Sequence, residues 1–338
     1  MRKNKLLLIL FFSLAAIYLA LKIITMPPVL KTARLIEIPE GSNAMEIARL
    51  LENKKIIRNA GWFLYWTNRY RAQEKLKAGI YEFSGRTPLK RVISKLIKGE
   101  ITLVRVSIPE GCTINDIAVI LEKKDLAQKD DFINYASEKQ LEGFLFPDTY
   151  FFPHKVSVEA ISSTMFKRFK DIFNDINGEP VNDSNFKKVK EIVTVASILE
   201  KEAMHKNERE IIAGIIYKRI RKNIPIQSCA TVIYSMDKTK ARLSHMDLKI
   251  KSPYNTYMHR GLPPGPISNP GKVSIEAAIN PKKTDYMFFV SMGDGRNYFS
   301  KTYAEHKNAV NLFLNSRTST ETSMPEENIN SNTDKSIF

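Results

Sequence analysis

The hydrophobic pattern of the chain changes along its length. In the first part, apolar and polar residues alternate over short runs, which is typical of half-buried strands. From about residue 157 onward, apolar residues recur at every third or fourth position, which is typical of helices. The change predicts an α+β fold with a mainly helical second half. Strands are expected at 35–38, 78–83, 103–108 and 286–290, and helices at 88–99, 185–203, 208–221, 274–279 and 302–314. The Gly293-Asp294-Gly295 turn predicts a β-hairpin with a partner strand at Tyr298.

The N-terminus has the pattern of a membrane segment. Three basic residues lie within the first five, and an uncharged run over 6–21 follows them. If Lys22 extends its charged end to the interface, the apolar segment reaches Met26, which is about the 20 residues needed to cross a bilayer. A cleaved signal peptide is the alternative. Lys22, Pro27 and Pro28 occupy the place of a cleavage site, which favours an uncleaved span with a cytoplasmic tail and the remaining chain outside.

A short motif occurs twice, 70 residues apart. Ile38-Pro39-Glu40-Gly41 and Ile108-Pro109-Glu110-Gly111 each follow a predicted strand and precede a short helical pattern. Pro-Glu-Gly is expected to form the turn, and Ser42 or Thr113 to cap the following helix. A β–α unit used twice for packing explains the repeat. A small glycan-binding or docking module is the alternative.

Composition and charge narrow the classes of partner. Hydrophobic residues make up 43% of the 338 residues and charged residues 26%, which excludes a wholly disordered chain and a polytopic membrane protein. The 52 Lys+Arg against 36 Asp+Glu give a net charge of +16, which favours an anionic neighbourhood. Export of the chain argues against a nucleic-acid partner. Two cysteines, Cys112 and Cys229, exclude a disulfide framework or a four-ligand zinc site built from cysteines, and no bridge between them is expected.

The conspicuous acidic feature is Glu200-Lys201-Glu202, at the end of an apolar helix. With Ala196 at the centre of the buried face, an advance of about 100° per residue puts Glu200 roughly 40° and Glu202 roughly 120° from that centre. The two carboxylates therefore point in different directions and do not share a proton. One of them is a candidate general acid whose pKa is raised by apolar surroundings. A solvated helix end is the alternative for such a charge cluster.

Three other segments are candidate parts of a site. Residues 142–153 hold five aromatics, which suit either packing or a platform for sugar rings. Residues 253–257 combine phenols and an amide, which hydrogen-bond sugar hydroxyls and N-acetyl groups. The rigid loop 261–271 is either a stiff connector or a cleft wall, and Asn269 is expected to cap the next helix with Pro270 at its first position. No metal-ligand spacing, nucleophile elbow or phosphate-binding loop occurs.

Taken in order, the motifs resemble the endolytic murein transglycosylases of the MltG/YceG-like family over residues 35–315. Each motif alone is weak, but nine in order are specific. The matching pieces are the N-terminal span and nine motifs: Ile-Pro-Glu-Gly and residues 78–81, 142–150, 196–202, 227–228, 231–234, 254–257, 261–271 and 288–290. The resemblance implies a lytic-transglycosylase-like catalytic domain that cleaves peptidoglycan glycan strands after N-acetylmuramic acid, leaves a 1,6-anhydro ring and needs no cofactor.

The resemblance also implies roles for particular residues. Glu202 matches the catalytic acid, although the helical wheel puts Glu200 nearer the core, and Glu200 is then a buried supporting group. Gln227, Tyr254, Asn255 and Tyr257 would bind the substrate. The implied domains are a cytoplasmic tail (1–5), a transmembrane helix (6–26), a LysM-like α/β module (34–100), the second repeat with an aromatic linker (101–155), the catalytic domain (156–316) and a disordered tail (317–338). The implied location is the cytoplasmic (inner) membrane with the catalytic domain on the periplasmic side, near cell-wall synthases.

The sequence departs from the family pattern at two places. Cys229-Ala230 replaces the usual Asp-Pro after Gln227-Ser228, and Asn297 lies where the hairpin usually has a histidine. Two other functions remain open. One is a muramidase with Asp148 or Glu142 as a second carboxylate. The other is a catalytically silent scaffold that binds glycan or cell-wall synthesis partners.

Overall fold

The computed structural model describes residues 11–13, 26–236 and 243–321, with side chains up to residue 313. Nearly all of the predicted membrane span, residues 6–26, lies outside the described residues, as do residues 322–338 of the predicted disordered tail. Among the described residues, no helix combines the length and the apolar character needed to cross a bilayer.

Helices and small two-stranded sheets alternate along the chain, as expected for an α+β fold. The helices are α1 Ala44–Asn53, α2 Ala60–Arg69, α3 Leu89–Lys98, α4 Ile114–Glu122, α5 Lys129–Glu138, α6 Val158–Asn177, α7 Phe186–Glu202, α8 Lys206–Arg221, α9 Cys229–Tyr234, α10 Lys272–Ile279 and α11 Tyr303–Glu321. The strands are β1 Val29–Ile38, β2 Gly79–Arg86, β3 Leu103–Ser107, β4 Thr149–Pro153, β5 Phe288–Ser291 and β6 Asn297–Ser300. They pair as β1–β2, β3–β4 and β5–β6.

The described residues divide into two compact units. The first contains the residues before Ser107 together with 120–128 and 149–157. The second contains 107–119, 129–148 and the residues from Val158 onward. The stretch 101–155, predicted to hold the second repeat and an aromatic linker, is thus shared between the units.

The first unit is built around an antiparallel β1–β2 pair, with α1 and α2 between the strands in sequence. Ile36 lies opposite Tyr81 in the register. Their side chains join Phe63, Leu51 and Leu96 in a core from which water is excluded. The alternating pattern of the strands and the helical spacing of α1 to α3 therefore converge on one apolar interior. At the end of α3, Gly99 adopts the left-handed conformation (φ +69°) that commonly ends a helix.

The helices that follow the two copies of Ile-Pro-Glu-Gly are capped by residues at different positions. In the second copy, the Thr113 hydroxyl accepts from the backbone N–H of Asp116, as expected. In the first copy the expected cap at Ser42 is wrong. Asn43 accepts from the backbone of Glu46, and the Glu46 carboxylate accepts from the backbone N–H of Asn43, which completes a capping box.

The second unit packs α6, α7, α8 and α10 around one apolar core. Phe169, Val193, Leu199, Ile216 and Ile275 are fully or nearly fully buried there. The predicted hairpin is present, with Val290 of β5 opposite Tyr298 of β6. The last helix exceeds its predicted end and runs to Glu321, so the disorder predicted from residue 317 is wrong for 317–321. The chain has no glycine or proline between Tyr303 and Glu321 to end the helix earlier.

The aromatic stretch 142–153 serves packing. Of its five aromatic side chains, Phe151 alone is exposed, and the others, Phe144, Phe146, Tyr150 and Phe152, are buried. In the second unit, the Phe144 ring lies edge-on to Phe169 with centroids 5.1 Å apart. Buried rings cannot stack on a polymer, so the sugar-platform hypothesis fails for these four residues.

The proline-rich loop is an internal part of the second unit. Residues 265–271 are all buried, and the backbone N–H of Ile267 donates to the Ser197 hydroxyl of α7 (3.0 Å). The prediction that Asn269 caps the next helix is wrong, because α10 begins at Lys272 with Gly271 as its cap. Asn269 is fully buried and receives the backbone N–H of Leu145 (2.8 Å). Its amide holds distant segments together.

Candidate active site

Glu202, the candidate acid, ends α7 beside the start of α9. One carboxylate oxygen accepts from the Ser228 hydroxyl (2.5 Å), and the backbone N–H of Ala230 also donates to the carboxylate. Burial raises the pKa of Glu202, and these two hydrogen bonds lower it by less than burial raises it. Within residues 26–236 and 243–321, no basic side chain forms an ion pair with it. The carboxyl group therefore tends to hold its proton.

Glu200 lies in the opposite kind of environment. Its carboxylate pairs with Arg209 of α8 (3.1 Å), with the two side chains only 6% and 9% exposed. The backbone N–H of Gly271 donates to the same carboxylate (2.9 Å). Arg209 also donates to the Ser274 hydroxyl (2.9 Å) and, less closely, to the carbonyl of Ala203. The helical wheel placed the Glu200 side chain nearer the core. In the structure, Arg209 neutralises the charge of Glu200 inside the second unit.

The segment around Thr256 fixes the other side of the Glu202 environment. The backbone N–H of Ser228 donates to the Thr256 hydroxyl (3.0 Å), and that of Gln227 donates to the Thr256 carbonyl (3.0 Å). Gln227 adopts φ +56°, an uncommon conformation for a residue other than glycine, and its side chain is exposed. These bonds aim Ser228 at the acid and leave the Gln227 side chain at the surface.

Two of the candidate substrate-binding residues are partly exposed phenols. The Tyr257 hydroxyl lies 3.2 Å from the Cys229 thiol. The pKa of Tyr257 is raised, chiefly by burial, and the negative charge of Glu202 contributes to the increase. Tyr254 packs its ring 4.9 Å from that of Tyr234. Tyr257 is therefore electrostatically coupled to the candidate acid and keeps its hydroxyl proton.

Asn255 does not fit its predicted role. Its side chain is fully buried. The amide donates to the carbonyls of Leu248 and Ile250 (3.0 and 2.9 Å) and accepts the backbone N–H of Tyr257 (2.9 Å). The prediction that Asn255 binds the saccharide is therefore wrong. It holds the loop that presents Tyr257.

Glu142 and Asp148, the candidate second acids, are bound to other groups. Glu142 accepts from the backbone of Ile114 (3.2 Å) and from the side chains of Tyr234 (3.2 Å) and Asn269 (3.1 Å). Burial raises the pKa of Glu142 to about 7. Asp148 pairs with Arg168 (2.8 Å). Neither carboxylate shares a hydrogen-bond partner with Glu202.

The departures from the family pattern have distinct surroundings. Cys229 is exposed beside Tyr257, and neither Cys229 nor Cys112 forms a disulfide. Asn297 donates its side-chain amide to Glu208 of α8 (2.8 Å), which ties the hairpin to that helix. In the described part of the chain, no group of three His, Cys, Asp or Glu residues is arranged to hold a metal ion.

Sequence reasoning did not assign roles to Ser228 and the backbone of Ala230. Ser228 is 3% exposed and lies 26 positions from Glu202, so no local pattern connects them. The available signal was the Gln227-Ser228 pair before a short helical pattern, since serine is a common residue at the start of a helix.

Comparison with known proteins gives the family. The family model described as the YceG-like family matches residues 36–312, most of the chain. The chain belongs to the YceG-like family. A relative from Bacillus subtilis (strain 168), named endolytic murein transglycosylase, is 34% identical over 314 residues, which cover 85% of this chain and 86% of the relative.

More distant members agree with this assignment. A protein of the same name from Streptococcus pneumoniae serotype 2 (strain D39) is 29% identical, and the match covers 83% of this chain but 58% of that longer protein. The crystal structure of a yceG-like protein from Listeria monocytogenes matches with 33% identity and a TM-score of 0.52, over 82% of this chain and 99% of that one. The family shown by the comparisons is the one that the motifs indicated.

Proposed function

We propose that this YceG-like chain is an endolytic lytic transglycosylase that cleaves peptidoglycan glycan strands. The observation that carries the proposal is the environment of Glu202: a carboxyl group without an ion pair among the described residues, with a pKa raised by burial and a fixed orientation set by Ser228 and Ala230. Such a group is suited to donate a proton near neutral pH. The relatives named endolytic murein transglycosylase supply the reaction class and the substrate.

A single acid suffices for this reaction. Glu202 donates its proton to the glycosidic oxygen as the bond to the N-acetylmuramic acid C1 breaks. The 6-hydroxyl of the same sugar then attacks C1, and its proton returns to the Glu202 carboxylate, so no water is consumed. A hydrolase needs a second carboxylate to activate water or to attack C1. Glu142 and Asp148 are engaged elsewhere, which supports the lyase.

The surrounding residues have supporting roles in this proposal. Tyr257 and Gln227 lie where a saccharide next to Glu202 could accept or donate hydrogen bonds, and Tyr254 extends that surface. Glu200 acts through its ion pair with Arg209, which anchors the end of α7 to α8 and α10. The substrate-binding roles of Gln227, Tyr254 and Tyr257 rest on the family resemblance, and the coupling of Tyr257 to Glu202 supports them.

The organisation of the chain is part of the same proposal. Residues 34–100 form a LysM-like module, supported by the order β1–α1–α2–β2 with two paired strands. Residues 6–26 anchor the protein in the cytoplasmic membrane, residues 156–316 carry catalysis on its outer side, and cell-wall synthases are nearby partners. The basic residues and apolar run of the N-terminus support this topology. A phosphatase fused after residue 338 should therefore be active outside the cytoplasm.

Product analysis tests the function. The full-length protein, purified in detergent, is incubated with glycan strands, and the products are examined by mass spectrometry. We expect internal cleavage with 1,6-anhydro ends and no mass of water gained. Reducing ends that carry added water would establish a muramidase instead. Intact strands would contradict catalysis and would favour the catalytically silent scaffold as the function of the chain.

A further inference from the structure

Helix α2 carries a continuous row of aromatic rings on one side. Trp62, Tyr65, Trp66 and the adjoining Tyr70 form an aromatic ladder whose successive ring centroids lie 5.6, 5.4 and 5.5 Å apart. Tyr65 and Tyr70 are 56% and 41% exposed. Phe63 of α2 is fully buried in the core of the first unit, and Trp66 packs against that core from its edge. The exposed rings of Tyr65 and Tyr70 therefore exceed what packing of this helix requires.

The segment that carries the aromatic ladder has charges of one sign. Residues 53–73 include no aspartate or glutamate, and their five basic residues are all exposed: Lys54, Lys55, Arg58, Arg69 and Arg71. The flanking Glu52 directs its carboxylate to the backbone N–H of Ala60 at the start of α2 (3.0 Å), and Glu74 follows in a short 3-10 helix. Aromatic rings with a rim of cations suit an anionic surface that has an apolar layer beneath it.

The aromatic ladder begins where the proposed membrane anchor ends. Met26 is the last residue of the predicted span, and its carbonyl accepts from the Arg58 guanidinium (2.9 Å). Trp62 lines the same small hollow as Met26 and Pro27. A chain that leaves the bilayer at Met26 thus places α2 within one side chain of that point.

We propose that the aromatic ladder and its five cations form an interfacial face that lies on an anionic phospholipid surface. Tyrosine and tryptophan favour the headgroup level because each has an apolar ring and a polar group. The basic residues add attraction to anionic headgroups. This inference rests on the proposed anchoring, and it adds that the first unit lies against the bilayer and is not free to move on a tether.

Glycan stacking is the competing use of exposed rings. Sugar sites combine rings with amides and carboxylates that bind hydroxyls. Of the amides in this segment, Asn59 is occupied as the helix cap, where it accepts from the backbone N–H of Trp62 (3.0 Å), whereas Asn53, Asn68 and Gln73 are exposed. With no carboxylate between residues 53 and 73, the charge pattern favours lipid.

The two tryptophans of the chain make the test direct, because both Trp62 and Trp66 belong to the aromatic ladder. The full-length protein is reconstituted into phosphatidylglycerol–phosphatidylcholine vesicles with bromine placed shallowly or deeply on the acyl chains. We expect strong quenching of tryptophan fluorescence by shallow bromine, weak quenching by deep bromine, and protection from iodide. Free iodide quenching without bromine quenching would overturn the proposal. Quenching relieved by added glycan strands would assign the aromatic ladder to sugar and also overturn it.

Matched variants separate this face from the anchor. Arg69→Gln with Arg71→Gln should reduce bromine quenching at least twofold in anionic vesicles, whereas Lys123→Gln with Lys124→Gln, exposed outside this face, should not. An alkaline wash of the vesicles tests the anchor separately. Protein that resists the wash but is not quenched refutes the interfacial face alone. Protein that is washed off and is not quenched refutes both, and unchanged quenching in the Arg69/Arg71 variant refutes the role of charge in this face.

Discussion

Glu200 and Glu202 lie two residues apart on α7, and their surroundings are opposite. Glu200 faces the interior, where Arg209 and the backbone of Gly271 neutralise it. Glu202 is held by a hydroxyl and a backbone N–H, which orient it without supplying a full positive charge. The comparison shows that a carboxylate shielded from solvent becomes a structural anion or a proton donor according to the partners that distant segments bring to it.

The largest effect expected from this comparison is on catalysis. Glu202→Gln removes the transferable proton but keeps the size of the side chain, so cleavage of glycan strands should fall by about 10²–10⁴-fold or more with the fold intact. Release of anhydro products is the measurement. Glu191→Gln, an exposed change on the same helix, should keep the wild-type rate. A folded Glu202→Gln protein with the wild-type rate would remove Glu202 from the mechanism.

The matching change at Glu200 should act on stability. Glu200→Gln leaves Arg209 buried without its counter-charge, which typically costs about 3–5 kcal/mol of unfolding free energy. Chemical denaturation measures this loss. Partial activity should remain at denaturant concentrations below the new unfolding midpoint. Glu276→Gln breaks an exposed pair with Lys272 and should cost less than about 1 kcal/mol. If Glu200→Gln is stable but inactive, the two carboxylates have exchanged roles.

Glu142 gives the comparison a third case, a buried acid with polar partners and a pKa near 7. In the folded protein the Glu142 carboxyl keeps its proton between pH 4.5 and about 7, whereas in the unfolded chain it loses the proton in this range. Stability should therefore fall as pH rises through this window, by up to about 3 kcal/mol, and level off above it. In thermal melts, the stability of the Glu142→Gln protein should lose this part of its dependence on pH. Glu138→Gln, an exposed change, should retain it.

The smallest expected effect concerns Ser228. Its hydrogen bond stabilises the ionised form of Glu202, so Ser228→Ala should raise the pKa of the acid. The basic limb of the rate–pH profile should then move up by about one unit, from the typical strength of a hydrogen bond to a charged group. Ser235→Ala, which removes a hydroxyl bonded to the Thr231 carbonyl, should leave the profile in place. If Ser228→Ala lowers the rate equally at every pH without shifting the rate–pH profile, Ser228 has only a structural role.

Helical periodicity predicted more of this molecule than polar chemistry did. The spacing of apolar residues located α7 within one residue and turned Glu200 toward the core, because burial of one helix face is a local pattern. Asn255 and Asn269 were assigned wrongly because an asparagine that caps a helix, binds a ligand or ties loops together looks the same in sequence. Their partners, such as Leu248 and Leu145, are set by the tertiary fold. Ser228 was overlooked for the same reason.

The buried loop 265–271 also determines when the second unit can form during biosynthesis. Asn269 donates to the carbonyl of Cys112, 157 residues earlier, and receives the backbone N–H of Leu145, 124 residues earlier. Those groups emerge from the ribosome long before their partner does. The earlier segment must therefore wait, with apolar surface exposed, until nearly the whole unit has been synthesised. Completion of this fold is a late, all-at-once event, and a chain interrupted before residue 269 should be a substrate for proteolysis.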